Sequence, residues 1–148
     1  MKPYADNKKV RFDYEILETN EAGLILSGNE VKSIRNGNVN LKGGFITFHG
    51  SDAFLINVHI PRYKYAGTLL SYDPERSRKL LLKKKEISYL RGKSQEKGLT
   101  IVPLSLYNKG RHIKVEIAVA KGKKNYDKRE SVKKREVDRE VQRKMKNL

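Results

Sequence analysis

The side chains best placed to do chemistry in this sequence are cations. Arg76, Arg78, Lys79, Lys83, Lys84 and Lys85 put six positive charges into ten residues. A second run follows, Lys121-Gly122-Lys123-Lys124-Asn125-Tyr126-Asp127-Lys128-Arg129. Lysine meets phosphate oxygens as a point charge, and arginine meets them as a planar fork. A glycine between lysines permits close backbone approach, and a tyrosine ring offers a face on which a base can stack. The first run, taken alone, is equally a solvated helix face. The second interleaves Gly122 and Tyr126 with its cations and points more specifically to nucleic acid. Tyr63, Tyr65 and Tyr72 lie among basic and turn residues. They serve either as stacking rings or as core, with core packing favoured for at least one.

Catalysis finds poorer material. His49, His59 and His112 stand singly and lack metal-ligand spacing. Asp13 and Glu15, two apart on an expected strand, could share a face and hold a metal or exchange protons. In a basic protein such a pair is more often a solvated counter-charge. No nucleophile elbow, phosphate-binding loop or dinucleotide glycine motif occurs. The expectation is a protein that is not an enzyme and has no metal and no cofactor. The sequence has no cysteine, which excludes disulfides and thiolate sites and favours a reducing compartment. Met1-Lys2-Pro3-Tyr4 is a polar start unlike a secretory signal, and no run approaches the ~20 apolar residues of a membrane span. These features predict a cytoplasmic monomer with no membrane partner.

Charge then selects the partner class. Thirty-three Lys and Arg against 17 Asp and Glu leave +16 on 148 residues. Self-repulsion of that size opposes compaction, so the natural partner is a polyanion. Nucleic acid is favoured over an anionic membrane surface or an acidic protein.

The elements that must position these cations follow from periodicity. Phe12, Tyr14 and Ile16 alternate with Asp13, Glu15 and Leu17 as in a half-buried strand. Glu21-Ala22-Gly23 is an expected turn, with Leu24-Ile25-Leu26 returning. Asn29 is an expected cap for a short helix over 30–35, stopped by Asn36-Gly37. Phe45–Phe48 and Ala53–Ile60 make an expected hairpin with a four-residue loop at His49–Asp52. Residues 62–75 look irregular, and 76–98 look helical, with Leu80, Leu81, Leu82, Ile87 and Leu90 facing inward. Strands over 99–107, with Pro103 marking an edge or bulge, and over 113–119 complete the set. The predicted fold is mostly β: a closed, mostly antiparallel barrel of about six strands with embedded helices. Its expected divisions are a flexible segment over 1–9, the barrel over 10–120 and a basic tail over 121–148.

Residues 121–148 carry 12 basic and 5 acidic side chains, a net of +7. Drawn as a helix, Arg135, Arg139, Arg143 and Lys146 share one face, with Val137, Val141, Met145 and Leu148 roughly opposite. Ordering 28 residues costs about 1–2 kcal/mol each, whereas four modest apolar side chains return about 1.5–3 kcal/mol each at best. The tail is therefore expected to be helical only when bound.

Several segments together resemble the small protein B family of bacterial tmRNA-binding proteins, over essentially the whole length. They are Tyr14-Glu15-Ile16, Glu21-Ala22-Gly23, Gly28-Asn29-Glu30-Val31-Lys32-Ser33, and Asp73-Pro74 with Arg78-Lys79-Leu80-Leu81-Leu82. They continue with Lys97-Gly98, Val102-Pro103-Leu104, Lys114-Val115-Glu116-Ile117 and Ala120-Lys121-Gly122-Lys123-Lys124 running into Asp127-Lys128-Arg129. The resemblance implies an oligonucleotide-binding barrel that grips the tRNA-like domain of tmRNA near its elbow. It implies RNA contacts at Glu30, Val31, Lys32, Lys79, Leu90, Lys121, Gly122, Lys123 and Lys124. Glu30 in such a site is expected to confer specificity, not affinity. It further implies that the tail, through Tyr126, Asp127, Lys128, Arg129, Arg135, Arg139, Arg143 and Met145, enters the empty mRNA channel of a stalled ribosome. There it would meet small-subunit rRNA and stand in for the missing codon–anticodon pairing, so that alanine-charged tmRNA is accepted.

Overall fold

The structure, a computed structural model, describes residues 3–64 and 71–123. In chain order the elements are β1 (Ala5–Asp6), α1 (Lys8–Asp13), β2 (Tyr14–Leu24), α2 (Gly28–Arg35), β3 (Phe45–His49), β4 (Asp52–Ile56), β5 (Arg78–Leu81), α3 (Lys84–Ser94), β6 (Leu99–Lys109) and β7 (His112–Gly122). The strands form one sheet in the order β1-β6-β7-β2-β5-β4-β3, antiparallel throughout.

Its centre is the β6–β7–β2 meander. Ile113, Val115, Ile117 and Val119 alternate along β7 and bury on one face, as the period-2 pattern requires. Together with Leu41, Leu55, Val58, Ile60, Leu80, Leu90 and Ile101 they build the main core. The opposite face of β6 and β7 is covered where Ala118 and Ala120 leave room for a helix. There α1 sets Val10 against Val102 and Leu104, making a smaller second cluster. A buried valine of this kind contributes about 1.5–3 kcal/mol.

Several expectations are corrected. The stretch from Tyr4, expected to be loose, enters the fold: the Tyr4 N–H donates to the Leu106 carbonyl and β1 pairs with β6. Phe12 and Asp13 belong to α1 and not to a strand, because Asn7 caps that helix through the Val10 N–H. Glu21-Ala22-Gly23 is no turn. It continues β2 opposite Glu116, Val115 and Lys114, and the strand absorbs its length in a bulge between Ile16 and Glu18. The β3–β4 loop has two residues, since His49 pairs with Asp52 and Gly50 takes φ +61°. Residues 78–81 are strand, not helix: Leu80 is buried and Leu81 exposed, which is a two-residue period.

The expected closed barrel of about six strands is instead an open seven-stranded ladder. Among the described residues β3 pairs only with β4, and β1 only with β6. The missing rung has a physical cause. Where β3 comes up to β6, Pro103 has no N–H to donate, and the register slips between Pro103 and Ser105. The seam is bridged by a side chain, the Asn7 amide donating to the Leu41 carbonyl at 3.2 Å and the Pro103 carbonyl at 3.0 Å. Approach is close there. A Cβ on Gly44 would lie 2.6 Å from Val58 Cγ2, 3.1 Å from the Leu41 carbonyl oxygen and 3.2 Å from Pro103 Cγ.

Candidate nucleic-acid interface

Helix α2 begins with a capping box: Ser27, not Asn29, is the cap. Its Oγ accepts from the Glu30 N–H at 3.2 Å, while Glu30 Oε1 accepts from the Ser27 N–H at 2.8 Å. The Glu30 carboxylate, only 1% exposed, then does a second task. Arg76 Nη2 donates to Oε1 at 2.5 Å and Arg78 Nε donates to Oε2 at 2.6 Å. Arg78 is itself fully buried, and its remaining nitrogens donate to the Val58 carbonyl at 2.6 Å and the Pro74 carbonyl at 2.9 Å. One carboxylate thus ties α2 to β5 and, through Arg78, to the chain on both sides of residues 58–74. Burial works to raise the Glu30 pKa, but the Ser27 N–H and the two guanidiniums outweigh it and hold it below its ordinary value.

Around this hub lie other expected contact residues. Val31 packs half-buried on the core. Lys32 is exposed, with Nζ 5.5 Å from the centre of the Tyr63 ring. Tyr72 is half-buried and donates its hydroxyl to the Ile60 carbonyl at 2.7 Å. Burial, followed by the nearby Glu30 carboxylate, pushes its pKa up. Lys79 points outward from β5 toward Asp52, at 3.4 Å. Leu90 is 1% exposed and belongs to the main core, where it packs α3 on the sheet. The exposed tyrosine next to it, Tyr89, instead donates to Glu18 at 2.7 Å.

Lys121, Gly122 and Lys123 are elsewhere. They end β7, opposite Tyr14 and Glu15 at the start of β2, and the Lys123 N–H donates to the Asp13 carbonyl at 2.9 Å. Helix α2 follows the other end of that same strand. The structure therefore gathers Glu30, Val31, Lys32 and Lys79 at one end and holds 121–123 at the other. An 11-residue strand separates them by roughly 30 Å. Lys124, Tyr126, Asp127, Lys128, Arg129, Arg135, Arg139, Arg143 and Met145 lie outside the described residues, as does Tyr65.

The weaker catalytic candidates are dispersed. Asp13 closes α1, 3.8 Å from Lys9, and does not share a strand face with Glu15. His49 packs near Phe54, and His59 stands 3.6 Å from Glu75. No group of acidic and histidine side chains suited to a metal ion occurs among the described residues. Among them, too, no helix is long and apolar enough to cross a membrane. Sequence reasoning missed that Arg78 is an interior ion. The only signal for it was its place two residues before Leu80, on the inward side of a strand.

Fold and surface together define a basic, single-sheet β protein with cationic groups at both ends of its β2–β7 ladder. A family model described as SmpB protein matches residues 4–147. A protein of Enterococcus faecalis called SsrA-binding protein is 53% identical over 143 residues, 97% of this chain and 92% of that one. Another of the same name, from Gloeothece citriformis, is 53% identical over 141 residues, 95% and 91% of the two chains. A chain of a solved structure, described as tmRNA-SmpB on "a journey to the center of the bacterial ribosome", superposes with a TM-score of 0.70. It is 45% identical and covers 86% of this chain and 93% of its own. The chain belongs to the SmpB protein family.

Proposed function

We propose that this protein binds the tRNA-like domain of tmRNA and delivers it to stalled bacterial ribosomes for trans-translation. It works by binding and not by catalysis, in the cytoplasm, as a monomer, with small-subunit rRNA as its second partner. The observation that carries this is the two-ended arrangement: a braced helix and basic strand at one end, and at the other the point where residues 124–148 leave β7. We read the sheet as an open barrel of the oligonucleotide-binding type, supported by the Asn7 side chain that spans the seam in place of a last row of backbone hydrogen bonds.

In this reading Val31, Lys32 and Lys79 face the tRNA-like domain, and Glu30 acts through the α2–β5 joint it braces. Leu90 supports that surface from within the core. Lys121, Gly122, Lys123 and Lys124 make the second RNA contact. The division of labour is between a folded grip over 10–120 and a tail over 121–148, the last strand running on to Gly122. In the tail Tyr126, Asp127, Lys128, Arg129, Arg135, Arg139, Arg143 and Met145 line the decoding region of the empty mRNA channel.

The test is a deletion of residues 130–148. Affinity for the tRNA-like domain should stay within about twofold, with a log–log salt slope of roughly −0.7 to −0.9 per phosphate contacted. Tagging of stalled chains should disappear. Loss of both activities together, or of neither, would refute the two-part design.

A further inference from the structure

A cleft of about 230 Å³ opens on the outer face of the sheet between α2, β5 and the β6–β7 turn. Its apolar wall is Leu26, Val31 and Leu81, and its rim is Arg35, Arg111 and Lys114. Leu81 is 54% exposed although it sits within the sheet, between a buried leucine and a half-buried one. Exposing a leucine there does nothing for folding. Gly23 lies beneath it, and a Cβ at that position would stand 3.1 Å from Leu81 Cβ and 3.5 Å from Lys114 Nζ. The glycine thus keeps the floor low and lets the Lys114 ammonium reach over it to the edge of the leucine.

The charged side chains that line the cleft are all basic, with Glu21 of β2 acting on Lys114 from outside it. No carboxylate lines the cleft, and among the described residues none comes within ion-pair distance of Arg35, Arg111 or Lys114. Arg35 Nη2 donates to the Arg111 carbonyl at 3.3 Å, so the two arginines form one rim although 76 residues separate them. An apolar floor ringed by cations suits a ligand that is flat and apolar in one part and anionic in the next. The cleft is smaller than the ~300–1,000 Å³ that holds a drug-sized molecule, so a whole cofactor is a poor fit.

We propose that this cleft takes one unpaired nucleotide of the bound RNA, its base against Leu81 and its flanking phosphates on Arg35, Arg111 and Lys114. This rests on the RNA-binding function proposed above and deepens it. Single-stranded bases are recognised by stacking on aromatic rings or guanidinium planes while cations track the backbone; here Leu81 gives the base an apolar surface and Arg35 and Arg111 bring the guanidiniums. The α2–β5 brace is made by Glu30, Arg76 and Arg78, and Arg111 meets Arg35 through its backbone carbonyl, so the Leu81 and Arg111 side chains can be changed without breaking it.

The test uses the transcribed tRNA-like domain of tmRNA and the full-length chain. Leu81→Ala should weaken binding roughly five- to a hundredfold, the range of one lost base contact, with the salt slope unchanged. The pair Arg111→Ala, Lys114→Ala should lower that slope by about 0.7–0.9 for each phosphate released. A photo-crosslinking side chain at position 81 should label one unpaired nucleotide. Wild-type affinity and slope in both variants, or labels spread along a duplex, overturn the proposal. If wild-type protein ignores the tRNA-like domain, the proposed function fails. The cleft is then judged on a mixed-sequence single-stranded RNA oligonucleotide, where the same loss in Leu81→Ala sustains it and equal binding ends it.

Discussion

Replacing Glu30 by alanine should remove a large part of the fold's stability, whatever it does to RNA binding. Among the described residues the carboxylate is the only counter-charge in hydrogen-bond contact with Arg78, which is fully buried and whose other donors meet the Val58 and Pro74 carbonyls. Two carbonyl dipoles do not neutralise a guanidinium in a water-poor interior. Removing one partner of a buried pair costs about 3–5 kcal/mol. Loss of the capping-box bond to the Ser27 N–H adds about 0.5–2 kcal/mol. Against a total stability of about 5–15 kcal/mol for a domain of this kind, the loss is a large fraction. Urea denaturation at pH 7, followed by far-ultraviolet circular dichroism, measures it. A companion variant separates charge from packing: Glu30→Met with Arg78→Met removes both ions and should recover most of the loss, because apolar side chains can replace a buried pair at little cost. A single variant destabilised by less than about 1 kcal/mol, or a double variant worse than the single, would falsify the role assigned to the pair. RNA affinities of Glu30 variants are meaningful only after correction for the folded fraction.

Two further outcomes follow from the same geometry. Because the Glu30 carboxyl is held below its ordinary value of 4.5, it binds protons more weakly folded than unfolded, so its contribution is complete above pH 4.5 and is lost as pH falls through its folded pKa. Urea midpoints taken from pH 7 down to 3 should drop in that acid range, and drop less steeply in Glu30→Gln; parallel curves would contradict this. Gly44→Ala should be destabilised by more than about 1 kcal/mol and protect the Asn7 side-chain amide less in hydrogen exchange. Its new methyl would meet Val58, the Leu41 carbonyl and Pro103, and an unchanged thermal midpoint would rule that crowding out.

Much of the fold was legible because alternation is a strong signal where one face is buried. Ile113, Val115, Ile117 and Val119 show it plainly, and Pro103 announced its bulge. Misreadings came where two signals overlapped. Glu21-Ala22-Gly23 has turn composition, yet Gly23 is there because Leu81 and Lys114 crowd the space over it, and the strand runs on. Arg78-Lys79-Leu80-Leu81 has helix-forming residues, but pairing with β4 and β2 overrides their propensity. Closure was over-predicted because the missing hydrogen bonds depend on what faces Pro103, which no local pattern encodes. At the site, charge count located the cationic surface but could not sort it. Arg78 and Lys79 are neighbours in sequence, and strand geometry turns one into the interior and the other toward solvent.

The bulged strand β2 has α2 after one end and Lys121 to Lys123 beside the other, and it is laced to β7 along nearly all of its length. A gauge block of this sort sets a constant span: it can be carried whole but not stretched. If both ends hold RNA as proposed, the two contacts keep a fixed separation, and the folded part moves with its cargo as a single body.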